Sequence, residues 1–193
     1  MARTKEFDPD VALQAALELF WRRGYEATSV ADLVEHLGIG RASIYATFGG
    51  KHELYLKSMD RYAETTTNLL VSTLSAPGPA LPGVRETVRR LAAECGDERR
   101  LKGCLVTNTA AELAPHDTAA AHKVQLSWEQ LETLLHASLT RARAQGELPE
   151  GRDPLALARL LLVLMQGARI VGKASDDPIR VRDALEQALA LLD

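Results

Sequence analysis

The sequence predicts an all-α protein with about nine helices. Apolar residues recur with a period near 3.6 along almost the whole chain, and no segment shows the two-residue alternation of a half-buried strand. The 193 residues are 46% hydrophobic and 25% charged, which is typical of a soluble globular protein. Stretches rich in proline or glycine separate the periodic segments. We therefore expect helices packed around a substantial core.

The first three helices carry clear start and stop signals. Asp8 is a good N-cap with Pro9 at the first helical position, and Gly24 ends this helix. Ser29 begins the second helix, and Asp32 stands three residues later, as in a capping box. The second helix is expected to end at Gly38. A short third helix, 41–48, precedes a glycine pair.

Longer helices are expected in the rest of the chain. The segment 75–82 contains three prolines, which forbid a continuous helix there, and 146–154 forms another loop. The periodic stretches between and around these loops predict helices at 51–74, 84–95, 104–113, 118–145, 154–173 and 178–192. We divide the chain into a helix-turn-helix domain over 1–50 and a larger domain over 51–193.

The second and third helices have the pattern of a helix-turn-helix. A short turn with two glycines joins them, and Ile39 in that turn is expected to enter the core. Ile44 and Phe48 would hold the third helix from beneath, so Ala42, Ser43 and Ala46 face outward. A helix with such a small outer face can enter the major groove of DNA.

Four segments resemble the DNA-binding domain of the TetR/AcrR repressors: AALELF at 15–20, GYEATSV at 24–30, the stretch from Gly38-Ile39 to IYATF at 44–48, and KHEL at 51–54. The resemblance covers about residues 7–56 in order and with matching spacing. It implies a repressor rather than an enzyme, one that binds a palindromic DNA operator as a homodimer and is released by a small molecule. Activation in place of repression stays open as an alternative.

The candidate DNA contacts follow from physics and from this resemblance together. Hydroxyls at a helix start suit a phosphate oxygen, and similar repressors use the positions of Tyr45 and Lys51 for backbone contacts. Arg41 carries the only charge on the third helix and is our candidate for a guanine contact, while the two alanines could meet thymine methyls. The predicted set is Thr28, Ser29, Arg41, Ala42, Ser43, Tyr45, Ala46, Thr47 and Lys51.

The net charge of the protein does not favour binding to a polyanion such as DNA. The formal net charge is −3, and residues 1–60 hold seven basic and nine acidic side chains. Attraction to DNA must therefore be concentrated on one face, with Glu18, Glu35 and Asp60 turned elsewhere. Arg3 and Lys5 could add phosphate contacts as an arm ahead of the first helix.

The last two helices form the expected dimer seam. The helix at 154–173 is apolar on every side, so it must contact its own core and something else. The helix at 178–192 could lie beside it, because similar regulators dimerise through two such helices. Similar regulators also enclose an effector among the middle helices; here the candidate lining residues are Tyr62, Thr66, Leu69, Asn108, Glu112, Gln125, Trp128, Leu131 and Met165.

A second reading is an all-α ligand-binding protein or enzyme without operator binding. It predicts a reactive cluster, such as Cys104 with His116 or His122. Cys95 and Cys104 flank one loop and could form a redox pair, although two buried thiols are the commoner outcome. The sequence contains no recognisable cofactor or metal motif. Two cysteines, with neither a membrane-length apolar run nor an apolar N-terminal segment, indicate a cytoplasmic protein.

Overall fold

The computed structural model describes residues 7–95 and 98–193, without the side chains of residues 98 and 99. Within these ranges it contains no strand. The elements are α1 (Pro9–Arg23), α2 (Val30–Leu37), α3 (Arg41–Phe48), α4 (Lys51–Leu74), α5 (Leu81–Cys95), a 3-10 turn (Glu98–Leu101), α6 (Leu105–Glu112), α7 (Thr118–Ala144), α8 (Pro154–Ala174) and α9 (Ile179–Ala190). The all-α prediction is confirmed.

The predicted caps form at the first two helices. The Asp8 carboxylate accepts the Asp10 N–H, and Ser29 and Asp32 form the reciprocal capping box. Gly24 and Gly38 end the helices with φ values of 88° and 64°, which side chains other than glycine rarely adopt. Local chemistry therefore determines where these helices begin and end.

Helix α5 starts three residues earlier than predicted, at Leu81. Pro82 is tolerated because the first helical residues need no intrahelical N–H bond. The Glu147 carboxylate accepts the N–H groups of Ala80 and Leu81, at 3.0 and 2.8 Å. A distant side chain thus supplies the start signal that the local sequence lacks.

Two hydrophobic clusters fill the interior. The first joins α1–α3 with the beginning of α4, α6 and the beginning of α7, and includes Phe20, Leu33 and Tyr55. The second joins the end of α4 with α5, the far half of α7, α8 and α9. Since α4 and α7 contribute to both clusters, the first three helices are packed directly against the rest of the protein.

Among the described residues, α8 is the one helix whose length and mean hydropathy of 1.6 match a membrane span. The core accounts for one of its faces, where Leu161 and Met165 are buried in the second cluster. Its other face leaves Leu160, Val163 and Ile170 exposed. The high hydropathy therefore comes from two apolar faces, of which the folded chain covers one.

Candidate nucleic-acid interface and effector cavity

Helix α3 presents a small, exposed face from a buried base. Ile44 and Phe48 are buried, and Ile39 packs partly buried against the same cluster. The exposed side chains are Arg41, Ala42, Tyr45 and Ala46, whereas Ser43 and Thr47 are half-buried. The Arg41 guanidinium lies 5.7 Å from the centre of the Tyr45 ring, a cation–π arrangement. This contact holds the long Arg41 side chain along the outer face of the helix.

The expected phosphate contact of the Thr28 hydroxyl is wrong. Thr28 is fully buried, and its hydroxyl donates to the Gly24 carbonyl at 2.7 Å. Ser29 is exposed, but its hydroxyl serves the capping box with Asp32. Hydrogen bonds from Ser29 hold the pKa of the Asp32 carboxyl below its usual value, and Arg23 lies 2.9 Å away. Both hydroxyls are thus used to shape the turn before α2.

Lys51 lies at the start of α4, close to α3, which is the recognition helix of the helix-turn-helix. Its ammonium lies 4.1 Å from the centre of the Tyr25 ring. The turn before it needs glycine, because Gly49 and Gly50 have φ values of 96° and 142°. A side chain at Gly50 would also press on the Tyr45 ring at 3.4 Å. The glycine pair therefore brings Tyr45 and the first turn of α4 together.

Three acidic residues of the first 60 positions pair with basic side chains away from α3. Glu18 pairs with Lys102 at 2.8 Å, Asp60 pairs with Lys123, and Asp10 pairs with Arg61 at 2.6 Å. The expectation for Glu18 and Asp60 is confirmed by these partners. Glu35 stays exposed on α2, and Arg3 and Lys5 lie outside the described residues.

A cavity of about 490 Å³ opens between α1, α4, α5, α8 and the segment before α6. Of the predicted effector residues, Tyr62, Thr66, Leu69 and Met165 line it. A smaller void of about 50 Å³ adjoins it and is lined by Trp128 and Leu131. Tyr62, Thr66 and Met165 line both spaces, so six of the nine predicted residues surround one composite site.

The other three predicted residues do not line either space. The Asn108 amide donates to the Lys102 carbonyl, and Gln125 is exposed and bonds to Glu129. Glu112 accepts the N–H groups of Tyr25 and Glu26. These corrections arise because helical spacing does not reveal which neighbour a polar face will meet. For Glu112, the partner of its half-buried carboxylate is protein backbone.

Arg169 is the cavity residue that sequence reasoning missed. It lines both spaces, and a cation on a predominantly apolar helix was the available signal. Although burial opposes its charge, nearby Cys104 and Tyr62 leave the pKa of Arg169 raised above its usual value. Within the described chain, its guanidinium has no hydrogen bond and no carboxylate at ion-pair distance.

Helix α6 and its flanks connect the first three helices to the cavity. The Trp21 indole N–H donates to the Gly103 carbonyl at 3.0 Å, directly before the helix. At the other end, Glu112 accepts from Tyr25 and Glu26, at 3.1 and 3.0 Å. Between them, the hydroxyls of Tyr55 and Thr109 are 2.8 Å apart. A shift of α6 would therefore be transmitted through these contacts to α1, to the turn after α1 and to α4.

Comparison with known proteins assigns the family. Residues 12–57 match the family model described as "Bacterial regulatory proteins, tetR family", and residues 80–188 match "Tetracyclin repressor-like, C-terminal domain". The chain belongs to the TetR family. Members of the TetR family are transcriptional regulators with a DNA-binding helix-turn-helix, so this chain is a regulator and not an enzyme. The cluster of Cys104 with His116 or His122 does not form, because both histidines are exposed and line neither cavity space.

Individual members of the TetR family match over nearly the whole chain. An uncharacterised transcriptional regulator of Bacillus subtilis, YezE, is 37% identical over the full length of both proteins. The Escherichia coli repressor ComR is 32% identical over 87% of this chain and 80% of its own. A cysteine mutant of the regulator CifR, solved with 26-bp operator DNA, covers 100% of both chains at 28% identity and a TM-score of 0.86.

Proposed function

We propose that this protein is a homodimeric, cytoplasmic repressor that binds a palindromic operator through α2 and α3 and leaves it when a small molecule fills the cavity. The exposed small face of α3, with Arg41 and Tyr45 stacked along it, carries this proposal. The operator complex of CifR and the repressor ComR support operator binding and repression by a protein of this architecture.

Residues 1–50 would read DNA, and residues 51–193 would hold the effector and the dimer contact. Arg41 would discriminate a base, while Tyr45 and Lys51 would fix the position of the helix on the phosphate backbone. Ala42, Ser43, Ala46 and Thr47 would face the groove, with Ser29 at its edge. The first turns of α4 belong physically to the DNA-reading part, because Leu54 and Tyr55 are buried in its core.

The exposed stripe on α8 supports the dimer. Leu160, Val163 and Ile170 lie at spacings of three and seven, so they share one side of the helix, and Gly167 between them permits close approach. Pairing this side with a second copy, alongside α9, would cover apolar surface that the folded chain leaves exposed. Two recognition helices could then reach half-sites about 34 Å apart on DNA.

Release requires that the effector bind one conformation better than the other. The cavity touches both α4, which continues from the DNA-reading helices, and the segment before α6, which Trp21 contacts. An effector that pushes these elements apart would change the separation of the two recognition helices. DNA and effector would then oppose each other's binding equally, as thermodynamic linkage requires.

The decisive experiment is selection of bound sequences from a random pool of duplex DNA with the purified protein at near-physiological salt. Recovery of one palindrome with fixed half-site spacing supports the dimeric sequence reader. Its occurrence upstream of genes would then indicate which genes are regulated. Recovery of no common sequence would contradict the proposal and favour a ligand-binding protein of the same fold.

A further inference from the structure

We propose that Cys104 captures the effector covalently: the small void beside it takes the head of an α,β-unsaturated carbonyl compound, and the thiol adds to its double bond. The regulatory consequence of this step rests on the function proposed above, whereas the capture itself does not. The proposal is carried by three groups around the void that converge from different helices.

The void is lined by Cys104, Trp128 and Arg169, from the start of α6, from α7 and from α8. The Trp128 indole N–H is buried and has no acceptor. Arg169 is a buried cation that lines the same void, with Cys104 and Tyr62 as its leading electrostatic neighbours. A buried donor without an acceptor destabilises the protein, so this arrangement favours a ligand oxygen. The volume of 50 Å³ holds about three or four water-sized atoms.

The surroundings activate the sulfur. Burial alone would raise the pKa of the Cys104 thiol, but the Arg169 guanidinium and hydrogen bonds from Tyr62 and Thr107 lower it overall. Burial, together with the neighbouring sulfur, raises the pKa of Tyr62 well above its usual value, so its hydroxyl keeps its proton and can donate. The thiolate is the nucleophilic form of cysteine. Cys104 is therefore poised to attack a soft electrophile.

The chemistry balances without an oxidant. The thiolate electron pair forms a bond to the β-carbon, and the carbon–carbon π pair moves towards the carbonyl oxygen to give an enolate. Arg169 and the Trp128 N–H face that oxygen and would stabilise its charge. Protonation of the α-carbon by water, which had taken up the thiol proton, completes the addition of S–H across the double bond. The adjoining cavity of about 490 Å³ would hold the rest of a longer molecule.

The position of Cys104 couples an adduct to the DNA-reading helices. Gly103, its neighbour, accepts the Trp21 hydrogen bond, and the rings of Tyr62 and Trp21 contact edge to face at 5.0 Å between centres. An adduct on the sulfur would displace Tyr62, which hydrogen-bonds to it. Both the polypeptide backbone and the Tyr62 ring would then move against α1.

The test treats full-length protein with crotonaldehyde, and in parallel with butyraldehyde, which lacks the double bond, and maps adducts by peptide mass spectrometry. We expect a crotonaldehyde adduct on Cys104 that butyraldehyde does not form and that persists in Cys95→Ser. Arg169→Met should slow its formation about tenfold, and Arg169→Lys, which keeps the charge, should restore much of the rate. Thermal unfolding of each variant confirms that it is folded.

The operator from the DNA selection provides the second readout. Crotonaldehyde should release the wild-type protein from it and leave Cys104→Ser bound. The proposal is overturned if Cys104 carries no adduct, if Cys95 reacts equally fast, or if the adducted protein binds DNA unchanged. If the untreated protein selects no operator, the proposed function fails, and the adduct rates of the Arg169 variants alone decide whether Cys104 is a capture site.

Discussion

Single residues at the DNA-reading surface have separate tasks. Arg41 is the candidate for a base contact because it carries the only formal charge on α3. Its guanidinium rests on the exposed Tyr45 ring. Tyr45 and Lys51 are the proposed contacts to the sugar-phosphate backbone. Base contacts change specificity and backbone contacts change affinity alike for all sequences, so substitutions can distinguish the two tasks.

Arg41→Ala should weaken binding to the selected operator by about 1–3 kcal/mol, about 5- to 150-fold, and remove the preference at one base pair of each half-site. Fluorescence anisotropy with operators varied at each position measures both effects. Tyr45→Phe is the comparison, because it should weaken all sequences equally. Unchanged base preference in Arg41→Ala would contradict the assigned role.

Glu112 connects α6 to the turn that follows α1. Its carboxylate, on α6, accepts the backbone N–H groups of Tyr25 and Glu26 in the turn that follows α1. Glu112→Ala should destabilise the protein by about 1–3 kcal/mol, because both N–H groups lose their acceptor. Urea unfolding measures this. Glu112→Gln keeps one oxygen and should be milder; equal stability of all three proteins would argue against the contact.

At the scale of elements, α7 is held at its first turn by Asp117. The carboxylate accepts the Ala120 N–H at 2.9 Å and meets the His52 ring, on α4, at 2.6 Å. These contacts, the Ala120 bond first, hold the pKa of Asp117 below its usual 3.8. A carboxyl with a lowered pKa stabilises the fold above its unfolded pKa, and this contribution disappears as the pH falls through the folded value.

Asp117→Ala should lower the free energy of unfolding by about 1 kcal/mol through loss of the N-cap. Asp117→Asn preserves the cap hydrogen bond but not the charge, so its smaller loss should measure what the charge adds at the Ala120 N–H and at His52 together. We expect the stability gap between wild type and Asp117→Asn to be present at pH 6 and to vanish well below pH 3.8. A gap independent of pH in denaturation curves would refute the electrostatic part.

At the scale of the whole molecule, assembly is required for function, because one helix-turn-helix reads only half of a palindrome. The exposed stripe of α8 is the surface best suited to self-association. Val163 stands at its centre with 69% of its surface exposed in the single chain. A charge at such a position would be buried without a partner in the dimer, at a cost of several kcal/mol.

Val163→Glu should therefore shift the protein from dimer to the 21.0 kDa monomer in light scattering and abolish operator binding. Leu126→Glu is the matched control, since Leu126 is also an exposed apolar residue but lies on α7. That variant should remain dimeric and bind DNA. A dimeric Val163→Glu protein would show that another surface forms the contact.

The sequence by itself determined the helices and the family, because caps, glycine stops and apolar periodicity act over a few residues. Asp8 and Ser29 cap the starts of α1 and α2, and Gly38 ends α2, as their positions in the sequence predict. The recognition helix was predictable for the same reason: its exposed and buried sides follow from helical geometry alone.

Only the tertiary structure decided which faces meet. Local signals did not reveal that Thr28 turns its hydroxyl inward, that Glu112 binds the turn after α1, or that Arg169 and Cys104 share a void. These contacts join residues from distant helices, and their energies depend on burial and on neighbouring charge, which no local pattern contains. The cavity belongs to the packing of the helices, and its chemistry emerges only when they come together.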